Sequence, residues 1–476
     1  MSLSLRAAPF PDTMAIAADP ARLETPRLIA LNSSLAGDLD LPPDWLAGPD
    51  GVAFLAGQAL PDGIRPVAQA YAGHQFGQFV PQLGDGRAHL LGVVTDMSGQ
   101  TRDIQLKGSG PTPFSRRGDG LAALGPVLRE YLVSEGMAAL GVPTTRSLAA
   151  LLTGERVWRD TPQPGAILVR VATSHLRVGT FQYFAARENR EALDFLSALA
   201  IERHYPDAAD TAHPVRTLYE KVVNAQADLV AQWMSLGFVH GVMNTDNMAL
   251  SGETIDYGPC AFLDVYRPDT VFSAIDRDGR YRFENQPRMA GWNLARLAET
   301  LLPLIDSDED RALSWAQTAL SGFGPAYEAH YLARMRRKLG LQLSEEADMA
   351  LVSDLLAMMT RRELDYTLTF RRLSNGLSLT EGETDDGEEN WIARWKARQA
   401  RESRSRDDQL ASMRETNPAI IPRNHRIAQA IAAAEQGDYS PFRTLLTHIA
   451  TPFRDDPDYA TPPMPAERVT TTYCGT

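Results

Sequence analysis

Asn247 and Asp256 stand nine positions apart in residues 240–258, HGVMNTDNMALSGETIDYG, and a second carboxylate, Asp246, directly precedes the asparagine. Side-chain oxygens of this kind suit a hard divalent cation, Mg²⁺ or Mn²⁺. Met248-Ala249-Leu250 and Thr254-Ile255-Asp256 read as short strands around the turn residues Ser251-Gly252-Glu253. The segment therefore predicts a tight β-hairpin that sets Asn247 opposite Asp256, roughly 5 Å apart at Cα, so that one cation takes an oxygen from each. Lys107 is a second candidate, because it ends the strand-like run Asp-Ile-Gln-Leu-Lys and is one of only four lysines in the chain, with Lys221, Lys338 and Lys396.

Protein kinases hold Mg²⁺ with a catalytic-loop Asn and the Asp of a DFG triplet, and pair a strand lysine with a helix glutamate. Here the triplet is Asp256-Tyr257-Gly258, and Glu130 lies in the helix expected after Lys107. The kinase spacing would put the catalytic Asp at Val242, which has no acid–base chemistry, and the nearest carboxylate is Asp246. The chain is either a dead kinase or a phosphate enzyme with a differently placed nucleophile and base.

Further candidates carry structural readings beside functional ones. Gly84, Gly86 and Arg87 in LGDGRA can cradle phosphate with bare backbone N–H groups, although a plain hairpin turn explains them too. Asp119 and Gly120 close the glycine-rich stretch 108–120, GSGPTPFSRRGDG, which reads as a nucleotide-covering loop or an ordinary surface loop. Arg170 and Arg177 sit in apolar strand-like runs, where arginine rarely enters unpaired; carboxylate partners or a phosphate clamp both account for them. His240, with no second His or Cys nearby, reads as a structural, hydrogen-bonded histidine.

These residues need a scaffold. Strand-like runs at 76–80, 89–95, 102–107, 166–171 and 176–184 surround a helix at 126–140, and residues 1–60 read as an extension wrapping the main body. From 188 onward helices are predicted at 188–205, 215–236, 288–305, 309–323, 325–339, 345–373 and 390–415, with residues 380–390, TEGETDDGEEN, as an acidic loop or linker. The 476 residues, 44% hydrophobic and 22% charged, suit a globular protein of two to three domains or one bilobal enzyme. A net charge of −13 argues against a nucleic-acid surface but leaves room for a local basic pocket. No membrane span or secretory segment is evident, and two cysteines, Cys260 and Cys474, suit a reducing compartment, so a cytoplasmic setting is expected.

Taken together, YAGHQFGQFVPQLGDGRA, QLKGSGPTPFSRRGDG, LVRVATSHLRVGTFQYF, HGVMNTDNMALSGETIDYGP, NQPRMAGWNLARLAETLLPL and NPAIIPRNHRIAQAI resemble the SelO (selenoprotein O) family, also known as the YdiU family, from about residue 60 to the end. The resemblance implies an α+β, bilobal protein-kinase-like fold with a β-rich N-lobe, a mostly helical C-lobe and terminal extensions. The division it suggests is 1–60 as extension, 61–187 as N-lobe and 188–476 as C-lobe with tail. It further implies transfer of AMP from ATP, bound in a flipped orientation, to Ser, Thr or Tyr hydroxyls of proteins.

By motif, Gly84, Gly86 and Arg87 would form the Gly loop, Lys107 and Glu130 the phosphate lysine and its ion pair, and Asp119 and Gly120 a nucleotide contact. Arg170 and Arg177 would receive the γ-phosphate, Asp246 would be the base, and Asn247 and Asp256 would hold Mg²⁺ or Mn²⁺, with Asp256 also facing the nucleotide. Some relatives carry a C-terminal disulfide as a redox control; the only partner available to Cys474 is Cys260, and the resemblance leaves that pairing open. UMP transfer from UTP, residual phosphoryl transfer and a catalytically silent ATP-binding scaffold are the competing readings.

Overall fold

Alternating apolar residues place the strand runs of the first half in one antiparallel sheet, seen in a computed structural model that describes residues 4–379 and 385–473. Its first strands are β1 (Ala15–Ala17), β2 (Arg27–Leu31) and β3 (Val67–Gln69). A separate hairpin, β4 (Gly73–Gln75) with β5 (Gln78–Val80), follows. The sheet continues with β6 (Ala88–Thr95), β7 (Thr101–Lys107), the short β8 (Ala122–Ala123), β9 (Arg146–Trp158) and β10 (Pro162–Ala172). Strand order is β1-β3-β6-β7-β10-β9-β2, with β8 paired to β10. Residues before 60, read from sequence as a wrapping extension, thus supply two strands of the sheet.

The register decides which side chains meet. Lys107 of β7 lies opposite Leu168 of β10, and Gln105 opposite Arg170. Paired residues share a face and strand side chains alternate, so Gln105, Lys107, Leu168 and Arg170 all point to one side. Ile104, Leu106, Val169 and Val171 point to the other, where they join a core with Leu35, Leu46, Phe54 and Leu55. Those four come from the helices α1 (Ser33–Asp38), α2 (Pro43–Ala47) and α3 (Pro49–Leu55). The polar face is covered by α4 (Leu124–Ala139), whose Leu124, Val127, Leu128 and Tyr131 pack in a second core with Ala166 and Leu168. Helical spacing leaves Glu130 beside that apolar stripe, on the sheet side of α4.

Residues 176–184 do not form the expected strand. They become α5 (Val178–Ala185), because the Thr180 hydroxyl accepts from the Arg177 amide at 3.1 Å and caps the first turn. Arg177 therefore stands at a helix N-terminus, not within a strand beside Arg170.

The second half is helical: α6 (Arg190–His204), α7 (Pro214–Leu236), α8 (Gln286–Ile305), α9 (Glu309–Ser321) and α10 (Phe323–Lys338). The stretch 345–373 divides into α11 (Asp348–Arg361) and α12 (Tyr366–Ser374), the latter capped by Asp365. Of the acidic stretch, residues 380–384 lie outside the described residues, and Asp386 onward begins α13 (Asp386–Gln399) in place of a loop. Then follow α14 (Arg406–Thr416), α15 (Asn424–Glu435) and α16 (Ser440–Ile449). The last two return to brace α4: the Tyr131 and Phe442 rings lie 5.8 Å apart, and a Cβ on Gly125 would come within 3.1 Å of Ile431. No helix among the described residues is long and apolar enough to cross a membrane.

Candidate active site

Residues 240–260 form a loop closed at its base by a two-stranded ladder, β11 (Phe238–Val239) with β12 (Ala261–Phe262). The expected hairpin inside it is absent. Ala249 bridges to Arg177, and Thr254 to Thr144, so each strand-like run pairs with a distant segment and not with the other. Asp246 and Asn247 sit in a 3₁₀ turn, Thr245–Asn247, and Asp256 has φ of +64°. That left-handed geometry is uncommon outside glycine and turns the carboxylate out of the run. The His240 ring bonds the Ile255 carbonyl at 2.9 Å and steadies the approach to Asp256.

The loop, the polar sheet face and α4 enclose a cleft of about 390 Å³. Three cations converge there on Asp256. Lys107 Nζ and Arg170 Nη1 each donate to its Oδ1 at 2.7 Å, and Arg177 Nη1 donates to Oδ2 at 2.5 Å. Glu130 accepts from Lys107 at 2.6 Å and from Arg170 at 3.2 Å, which holds both heads over the cleft floor. Burial opposes ionisation of Asp256, but Lys107, Arg177 and Arg170 together hold it well below the usual carboxylate range.

Asp246 is in the opposite condition. Its carboxyl is buried, and its Oδ1 has no hydrogen-bond partner. Burial pushes it up to about 6 against the pull of Arg177, whose Nη1 is bonded to the Asp246 backbone carbonyl at 2.7 Å. A buried carboxyl held by Gln75, with one oxygen left without a partner and a value raised toward neutrality, suits a general base. Asn247 donates its amide N–H to the Val242 carbonyl at 2.9 Å, and its side-chain oxygen remains as the group on offer.

The remaining predicted residues line the same region. Gly86 and Arg87 face both this cleft and an adjoining cavity of about 880 Å³, which Gly84, Asp119 and Gly120 also line. Gly84 has φ of +72°, and a Cβ there would lie 2.3 Å from the Phe114 ring, so only glycine lets the Gly loop press on the 108–120 loop. Asp119 is paired with Arg159 at 2.7 Å, so its carboxylate is already committed at the rim of the outer cavity.

Three further participants, Asp85, Gln105 and Tyr71, are not among the candidate residues. Asp85, between the two loop glycines, accepts from the Gln69 amide at 3.2 Å and from Gln105 Nε2 at 3.1 Å; burial pushes it up to about 6. Gln105 in turn accepts from Arg170 at 2.5 Å, so a polar chain runs from the Gly loop to Asp256. Tyr71 lies under the Arg177 guanidinium, 4.8 Å from ring centroid to Cζ. Asp85 alone offered a clue, as a carboxylate flanked by glycines.

The fit to a hard cation rests on these donors. Asp246, Asn247 and Asp256 all line the cleft, one oxygen of Asp246 is buried without a partner, and Asp256 uses only three of its roughly four acceptor sites. Among the described residues no three His, Cys, Asp or Glu side chains form a ready-made cage. Mg²⁺ is ordinarily held by one or two carboxylates together with substrate phosphates, so this oxygen set suits it. Cys260 is buried, and Cys474 lies outside the described residues, so the pairing that the resemblance leaves open lies outside them too.

The chain matches a family described as protein adenylyltransferase SelO over residues 6–450. It is similar to a protein of Rhodopseudomonas palustris (strain BisB5) named protein nucleotidyltransferase YdiU, 56% identical over 481 residues that span 98% of each chain. A protein of the same name from Agrobacterium fabrum (strain C58) is 54% identical over 485 residues, again 98% of each chain. Among solved structures, ROP2 from Toxoplasma gondii, described as having a protein-kinase fold and no enzymatic activity, matches 74% of this chain and 90% of its own at 12% identity and a TM-score of 0.27.

Proposed function

We propose, since the chain belongs to the SelO family of protein adenylyltransferases, that it transfers AMP from ATP to Ser, Thr or Tyr hydroxyls of proteins, with the triphosphate reversed relative to a protein kinase. The observation that carries this reading is the division of labour in the cleft. Lys107, Arg170 and Arg177 crowd the Asp256 carboxylate, while the Asp246 carboxyl keeps one oxygen without a partner and Val242 fills the kinase base position.

Arg170 and Arg177 are 1% and 3% exposed, so the phosphate they meet is the one that enters deepest. In this reading that is the γ-phosphate, and the adenosine end extends toward the outer cavity beside Gly84, Asp119 and Gly120. The α-phosphorus is then left toward Asp246. The acceptor oxygen forms a bond to it, the bond to the β-phosphate oxygen breaks, pyrophosphate leaves, and the acceptor's proton passes to Asp246. Lys107 and the two arginines stabilise the charge that grows on the leaving group. Asp256 and Asn247 would hold Mg²⁺ or Mn²⁺, with Asp246 beside them. Such a cation, when bound, supplies further neutralisation of phosphate charge.

The test is product analysis: with ATP, a divalent cation and a protein acceptor, pyrophosphate should be released in step with modification. Release of ADP would restore phosphoryl transfer, and release of neither would leave an ATP-binding scaffold.

A further inference from the structure

The segment before the C-terminus returns to the rim of the cleft and pairs there as an extended strand. Thr472 is buried; its N–H donates to the Phe272 carbonyl at 2.7 Å and its carbonyl accepts from the Ala274 N–H at 3.1 Å, forming a parallel bridge with Ser273. Its hydroxyl donates to the Pro259 carbonyl at 2.6 Å, three residues beyond Asp256. Tyr473 follows, 73% exposed, and shares with Ile275, 62% exposed, the boundary between the cleft and a neighbouring cavity of about 480 Å³. An aromatic ring left this open gains little from packing. The segment places a hydroxyl-bearing residue at the cleft mouth.

Without Thr472, the Phe272 and Pro259 carbonyls and the Ala274 N–H would lose their partners, and Ser273 Oγ is already buried without one. Such a strip calls for an extended occupant, and backbone pairing admits many sequences while alternate side chains point in and out. We infer that Phe272–Ala274 is the docking strip for the protein substrate, and that residues 469–473 occupy it as a competing, substrate-like segment. An acceptor chain pairs as Thr472 does, burying one side chain against Pro259 and carrying the next, a hydroxyl residue, to the cleft mouth where Tyr473 stands. This inference rests on the protein-acceptor reading above.

The probe is a fluorescent peptide of residues 468–473, Arg-Val-Thr-Thr-Thr-Tyr, measured by anisotropy without nucleotide. It should bind a chain ending at Glu467 at least tenfold more tightly than the full chain, and Ala274→Pro, which deletes the strip's N–H donor, should abolish that gain. Thr472→Pro in the full chain should free the strip and bind the peptide as the shortened chain does, which covers the case where shortening disturbs folding. With α-labelled ATP, the shortened chain should modify the peptide with a lower KM and an unchanged kcat. Equal binding to full and shortened chains, or binding indifferent to Ala274→Pro, overturns the inference. Peptide binding as expected without label transfer would uphold the strip and refute adenylyl transfer.

Discussion

In the proposed reaction Asp246 is the base, and its environment makes two opposed predictions. Asp246→Asn should slow transfer roughly 10²–10⁴-fold while leaving ATP affinity largely intact. In the unsubstituted protein kcat should fall as pH drops below about 6, because the carboxyl pushed up by burial then holds its proton and cannot accept another. The same raised value means that stability is lost as pH rises through that window, since ionising the buried group costs the folded state and not the unfolded one. Asp246→Asn should therefore melt higher than the parent at pH 8 while turning over more slowly, and a lower melting temperature would assign the residue a structural role. Arg170 and Arg177 supply a further prediction. Replacing either by Ala should weaken ATP by roughly tenfold or more, the worth of a charge-assisted hydrogen bond, and ADP by much less. Equal weakening of the two nucleotides would contradict the reversed triphosphate. Lys107 and Asp256 stood out in the sequence through rarity and motif context, whereas Tyr71 and Gln105 are ordinary residues whose roles depend on what folds against them.

At the scale of elements, the Gly loop works by close approach. Gly84→Ala would put a methyl group 2.3 Å from the Phe114 ring at φ of +72°. It should cost about 1–2 kcal/mol in backbone strain alone and in addition separate the two loops that line the outer cavity, weakening ATP binding. Gly99→Ala is the control, with φ of +85° and no atom within 4 Å of the added Cβ, so it should lower the melting temperature without touching ATP affinity. Strands β6, β7 and β10 were legible because their runs are bounded by turn residues. Strand β9 was not, since both faces of its first half are buried and Leu-Ala-Ala-Leu-Leu reads as readily as a helix. The 248–256 hairpin was misread because local turn chemistry lost to partners far along the chain, Arg177 and Thr144. In α5, the β-formers Val178, Thr180, Phe181 and Tyr183 masked a helix that its cap and packing impose.

Across the whole molecule, a chain of net charge −13 gathers three cations at the junction of its sheet and its helical half. Each structural layer contributes: the register of β7 and β10 sets Lys107, Gln105 and Arg170 on one face, α4 brings Glu130, and the loop closed by β11 and β12 brings Asp246, Asn247 and Asp256. Helices α15 and α16 brace α4 from behind, so the ion pair that positions Lys107 depends on segments more than 290 residues later. An assembly built only to bind ATP has no need of a second buried carboxyl, raised toward neutrality, beside the three cations. The decisive measurement is therefore to incubate the protein with a protein acceptor and ATP labelled at either the α or the γ position, and to follow the label. The account predicts stable label on protein from α-labelled ATP and none from γ-labelled ATP; label from the γ position alone, or from neither, would contradict it.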